Sequence, residues 1–158
     1  MIANPFKSVT SEQTLSVTAL GMIHSMLVMG KENDNAYSLT EIAVSPEAGP
    51  PLHRHRELES FYILEGTFLF ELDGQQIKAE AGTFVPIPSM IWHRWKTSGS
   101  ELARLLCLFI PGGVEESFVE WGHPVTDVTA PPMAATPEDI QHSLEVSERY
   151  GIEFRFPS

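Results

Sequence analysis

His53-Arg54-His55-Arg56-Glu57-Leu58-Glu59 decides how the rest of this 158-residue chain is read. His53, His55 and Glu59 have the same parity. In an extended strand alternate side chains share one face, so all three point the same way. His93, in a later strand-like segment at 91–96, adds a third imidazole. Three imidazoles and one carboxylate suit one divalent transition metal: Fe, Mn, Ni, Cu or Zn. Such a set leaves coordination positions open for a substrate or dioxygen. Glu57 shares the parity of Glu59 and competes with it, either as the carboxylate donor or as an acceptor from a ligand histidine. Arg54 and Arg56 have the opposite parity and are expected to point away from the ion, as solvated charges or contacts to another subunit.

Working outward, the chain as far as Pro111 reads as short strands broken by turn signals. The candidates are 22–29, 36–44, 60–64, 67–72, 75–79, 83–86, 91–96 and 102–110. Asp73-Gly74 between apolar arms is a tight-hairpin signal, and Gly66 and Gly82 mark sharp turns. Many short strands at this spacing predict an all-β antiparallel barrel or jelly roll rather than βαβ units. Phe61-Tyr62-Ile63-Leu64 and Leu105-Leu106-Cys107-Leu108-Phe109-Ile110 are apolar on both faces. One face fills the barrel and the other needs a cover, which predicts a homodimer.

After Pro111-Gly112-Gly113 the pattern turns helical. Val114 and Phe118 have helical spacing, and Glu115 and Glu116 suit a helix N-terminus. Residues 123–132 read as an extended connector. Thr136-Pro137-Glu138-Asp139 is a helix start and Gly151 its stop, with Ile140 and Leu144 as the apolar stripe. The expected organisation is an N-terminal arm at 1–12, a barrel at 13–113, and a C-terminal helical extension at 114–158 packed on the barrel or on a partner.

Ten Lys and Arg against 21 Asp and Glu give a formal net charge of −11. Such a surface repels nucleic acid and anionic membranes, so neither is an expected partner. The single cysteine, Cys107, sits in an apolar run and reads as a small buried hydrophobe; no internal disulfide can form, which fits a reducing cytoplasm. The sequence shows no apolar signal region near Lys7 and no run long enough for a membrane span. The expectation is therefore a cytoplasmic protein.

At the histidine stretch the chain resembles the cupins. The first cupin motif, G-x5-H-x-H-x3,4-E-x6-G, is matched from His53 through His55 and Glu59 to Gly66, although Gly49 lies closer to His53 than the pattern asks. The second, G-x5-P-x-G-x2-H-x3-N, is matched by Gly82, Pro88 and His93, with Met90 in place of the inner glycine and Thr97 in place of the final asparagine. The resemblance implies a double-stranded β-helix holding its metal on His53, His55, Glu59 and His93, in a small, usually dimeric protein similar to bacterial quercetin-dioxygenase-like proteins. Phe61, Ile63, Phe70, Ile91 and Trp95 are expected to line a pocket for a small organic, aromatic-tolerant ligand. The implied activity is dioxygenase-type oxidation with Glu59 doubling as a general base. Cupins also include non-catalytic binding or sensor domains and metal-dependent isomerases or lyases, so those readings stay open.

Overall fold

Residues 8–158 are described by a computed structural model. Part of the expected arm, residues 1–7, lies outside the described residues; the remainder includes a short 3-10 turn at Ser11–Gln13. The strands are β1 (Ser16–Ala19), β2 (Met22–Val28), β3 (Ser38–Val44), β4 (His53–Arg54), β5 (Leu58–Glu65), β6 (Thr67–Leu72), β7 (Gln75–Glu80), β8 (Phe84–Ile87), β9 (His93–Ser98), β10 (Ala103–Ile110), β11 (His123–Pro124) and β12 (Glu153–Phe154). The α-helices are α1 (Glu116–Trp121) and α2 (Pro137–Arg149). Two antiparallel sheets form the expected all-β jelly roll, one ordered β11-β1-β2-β3-β10-β5-β8 and the other β12-β4-β9-β6-β7.

Alternation builds the core. Phe61, Ile63, Leu105, Cys107 and Phe109 are buried between the sheets, while Tyr62, Leu64 and Ile110 point outward and remain exposed. In β6 and β9, Phe68, Phe70, His93, Trp95 and Thr97 face inward. Where the chain must reverse, its turn chemistry fits: β6 and β7 are joined through Asp73 (φ 49°) and Gly74 (φ 84°), the pair of left-handed residues that a two-residue hairpin loop demands.

The C-terminal extension departs from its expected detail. Thr136 caps α2 as expected, its Oγ accepting the Asp139 amide. The buried side of α2, however, is Ser143, Val146 and Ser147, while Ile140 is exposed and Leu144 half-buried. Val146 joins Trp121 of α1 and Ala19 of β1. Glu115 flanks the N-terminus of α1 and Glu116 begins it, as expected. Glu115 is fully buried, and its two oxygens accept the amides of Gly30 and Gly113, tying two loops together.

His24 on β2 is buried under α1, its ring 4.4 Å from Phe118 and 5.4 Å from Trp121, and its Nδ1 has no hydrogen-bond partner. Burial lowers its pKa to about 3. The unfolded chain takes up this proton near pH 6.5 and the folded chain only near pH 3. Stability therefore falls as pH drops through that window, by up to about 1.4 kcal/mol per pH unit from this residue. His24→Leu is expected to flatten the pH dependence of urea unfolding between pH 6 and 4 by roughly one proton. An unchanged slope would show that His24 titrates freely in the folded protein.

Candidate metal centre

Three separate chain segments deliver the four expected donors. His53 lies on β4 and pairs in register with His93 on β9. His55 follows β4, and Glu59 sits on β5 facing inward. One donor atom from each of His53, His55, Glu59 and His93 lies within 4.8 Å of all the others, and all four side chains are buried. Glu59 Oε2 stands 2.9 Å from His55 Nε2 and 2.9 Å from His93 Nε2.

The opposite ring nitrogens are anchored. His53 Nδ1 is 2.7 Å from the Pro51 carbonyl, His93 Nδ1 is 2.8 Å from that of Ile91, and His55 Nδ1 is 3.2 Å from that of Glu57. Each Nδ1 thus has an acceptor for its proton, which leaves Nε2 as the donor available to an ion. This arrangement fits a divalent transition metal. Burial opposes a charge on His55, yet the hydrogen bonds it donates to Glu57 and Glu59 outweigh that and raise its pKa to about 10. Burial likewise opposes a charge on Glu59, but hydrogen bonds from His55 and His93 hold its carboxyl well below the usual range. His53 goes the other way: burial, reinforced by His93, lowers it to about 3.

Sequence reasoning left Glu57 open as a competitor. Its Oε2 lies 3.4 Å from His55 Nδ1, on the outer side of the ring, so it supports His55 and stands outside the convergent set. Arg54 points outward as expected, with its Nε 2.7 Å from Glu153 and its guanidinium 4.7 Å from the Trp92 ring. Arg155 covers the same ring at 4.1 Å. These contacts reveal a support that the sequence did not show. The two-residue strand β12 pairs with β4, the Arg155 amide bonds the Leu52 carbonyl, and Phe154 lies 6.1 Å from the His53 ring. Two residues carry no periodicity, so β12 was not legible before the chain was folded.

Of the expected pocket residues, Phe61, Ile63, Phe70 and Trp95 are buried and Ile91 is half-buried. Phe61, Phe70 and Trp95 interlock at ring separations of 5.3, 5.8 and 6.4 Å. They occupy the layer next to the donors, since Trp95 follows His93 by two positions on one strand face and pairs with Phe70. Cys107 was read as a small hydrophobe. It is buried as expected, and its thiol also lies 3.2 Å from Glu59 Oε1; burial, with the Glu59 charge behind it, pushes the thiol pKa upward.

Met90 shows what its motif position requires. It adopts φ 64°, where glycine is favoured, and its amide bonds the His55 carbonyl at 2.8 Å. Met90→Gly removes about 1–2 kcal/mol of left-handed strain and returns part of that through a more flexible unfolded chain. The expected net gain is about 0.5–1 kcal/mol in urea unfolding; a loss of stability would contradict the strain.

A cupin-domain family model matches residues 40–109. A quercetin 2,3-dioxygenase from Bacillus subtilis is 30% identical over 108 residues, covering 65% of this chain and 30% of that protein. An uncharacterized protein from Methanocaldococcus jannaschii is 32% identical over 75 residues, covering 47% of this chain and 60% of that one. The chain thus matches less than two thirds of the length of either relative. A predicted oxalate decarboxylase from Thermotoga maritima, 22% identical, shares the fold with a TM-score of 0.60, covering 66% of this chain and 99% of that one. The family model places a cupin domain at residues 40–109, and the jelly roll and the His-His-Glu-His cluster agree with it.

Proposed function

We propose that this cupin binds one divalent transition metal on His53, His55, Glu59 and His93 and oxidises a small organic molecule in a dioxygenase-type reaction. The convergence of three imidazoles and a carboxylate within 4.8 Å carries this reading. The similarity to a quercetin 2,3-dioxygenase favours oxidation over the other chemistries of the fold. The bound metal would supply open coordination positions for substrate oxygens or dioxygen. In the overall balance both atoms of dioxygen enter the substrate, which itself supplies the electrons, so no external reductant is needed. Glu59 would take the proton of a substrate hydroxyl at its carboxylate. Phe61, Ile63, Phe70, Ile91 and Trp95 would give the substrate an apolar, aromatic wall that excludes water.

Dioxygen consumption by metal-reconstituted protein, with quercetin and simpler phenols as substrates, tests this reading. Substrate-dependent uptake with label from isotopic dioxygen in the product supports it. Conversion of substrate without dioxygen would replace it with isomerase or lyase chemistry, and tight retention without turnover would replace it with a binding function.

The same reading includes a homodimer built on the outer face of the seven-stranded sheet. Tyr62 is 44% exposed, Leu64 39% and Phe84 58%, and they adjoin one another through the β5–β8 pairing and along β5. Contiguous apolar sheet surface of this kind is characteristic of an interface. Sedimentation is expected to give twice the 17.6 kDa chain mass, and Tyr62→Lys with Phe84→Glu to give the chain mass alone. A monomeric parent protein would end this part of the proposal. The lone buried cysteine, Cys107, supports a reducing, cytoplasmic setting.

A further inference from the structure

We propose that Cys107 is a positioning residue for Glu59: its thiol donates to Oε1 and leaves Oε2 as the one carboxylate oxygen turned toward the three imidazoles. The inference rests on the metal reading above and adds the way in which the carboxylate is presented.

The register places the two groups. Phe109 of β10 pairs with Glu59 of β5, and Cys107 pairs with Phe61, so Cys107 is the diagonal inward neighbour of Glu59. Diagonal neighbours on one sheet face are within reach of a long side chain. Glu59 spans that gap, and its oxygens divide their partners: Oε2 meets His55 and His93, each at 2.9 Å, and Oε1 meets the Cys107 sulfur at 3.2 Å. Among the described residues, Oε1 has no other hydrogen-bond partner. A thiol is a weak donor, but a buried carboxylate acceptor strengthens the bond, and water has little access here to replace it.

Cys107 itself stands outside the group of donors that converge within 4.8 Å. Its place is behind the carboxylate. A carboxylate held by one oxygen offers a single bond to an ion and keeps a further coordination position free. Released, the same group is able to turn and occupy that position with its second oxygen. Cys107 would in this way set how many positions a substrate finds open.

The chain has one cysteine, so its S–H stretching band in the infrared belongs to Cys107 alone. In the metal-free protein the band is expected at the lowered frequency of a hydrogen-bonded thiol and should rise in Glu59→Gln. A free-thiol frequency in the parent protein would overturn the proposal without reference to any metal. Titration with Co(II), followed by visible absorption, supplies the second readout. Cys107→Ala is expected to weaken Co(II) binding about tenfold, the lower end of what outer partners of metal ligands contribute. It should also change the ligand-field bands, and Cys107→Ser, which keeps a donor, should restore most of both. Parent-like affinity and spectrum in Cys107→Ala would overturn the proposal. So would loss of the S–H band with sulfur-to-cobalt charge transfer in the parent protein, which would make Cys107 a ligand. If the parent protein fails to bind Co(II) at all, the metal reading fails, while the S–H band still decides the Cys107–Glu59 bond. Should Cys107→Ala not fold, the parent S–H band and Cys107→Ser carry the test.

Discussion

Replacing His53 and His55 together by alanine is expected to weaken divalent-metal binding on the order of a thousandfold or more. Loss of a single outer partner of a ligand already costs ~10–100-fold, and here two of the four donors themselves are removed. The barrel should survive, because its stability comes from apolar burial rather than from the ion. The core under the donors is built from Phe61, Phe68, Phe70, Trp95 and Leu105, none of which the substitutions touch. The variant will not be as stable as its parent. His55 is a hydrogen-bonded partner of the buried Glu59 carboxylate, and breaking a buried pair from one side costs about 3–5 kcal/mol. Metal content by mass spectrometry and folding by circular dichroism separate the two effects. A folded variant that keeps a full complement of tightly bound metal would show that these histidines do not hold it.

Gly49→Ala is expected to be the most damaging single substitution outside the donor set. A Cβ at this position would lie 1.9 Å from the Trp95 carbonyl oxygen and 2.9 Å from the Lys96 Cα. Both are backbone atoms of β9, so no side chain is available to swing aside. Thr97 of β9 holds the loop there: its amide bonds the Ala48 carbonyl at 3.2 Å, and its Oγ bonds the Ser45 carbonyl at 2.9 Å. Relief would require the loop or β9 to move, and β9 carries His93. A cost of about 4 kcal/mol or more is expected, which for a chain of this size lowers the melting temperature by roughly 10 °C. Melting within about 2 °C of the parent would mean that the loop does not approach β9 as closely as described.

The legible and illegible parts of this chain differ for physical reasons. The strands around the donors were legible because alternation and turn residues are local: segment 67–72 is β6, and Asp73-Gly74 is its hairpin. The four donors were legible because same-face parity and motif spacing survive without knowledge of the partner strand. The tie between Glu59 and Cys107 was not, since it spans 48 positions and depends on the register of β5 with β10. Strand β1 was missed because all four of its residues are buried, so it shows no alternation. Helix α2 was placed correctly along the chain, but its buried side follows Ser143, Val146 and Ser147 rather than Ile140, and two serines on the buried side leave no apolar stripe to read. Gly49, out of place against the motif, proves to be needed for space, with Trp95 and Lys96 directly opposite. Thr97, standing where the motif has asparagine, holds the same loop through Ser45.

Anomalous diffraction from crystals grown with zinc or cobalt tests the metal centre most directly. One ion per chain, bonded to ring nitrogens of His53, His55 and His93 and to a carboxylate oxygen of Glu59, is the predicted result. An ion bound elsewhere, or a set of four donors too far apart to share one, would contradict it.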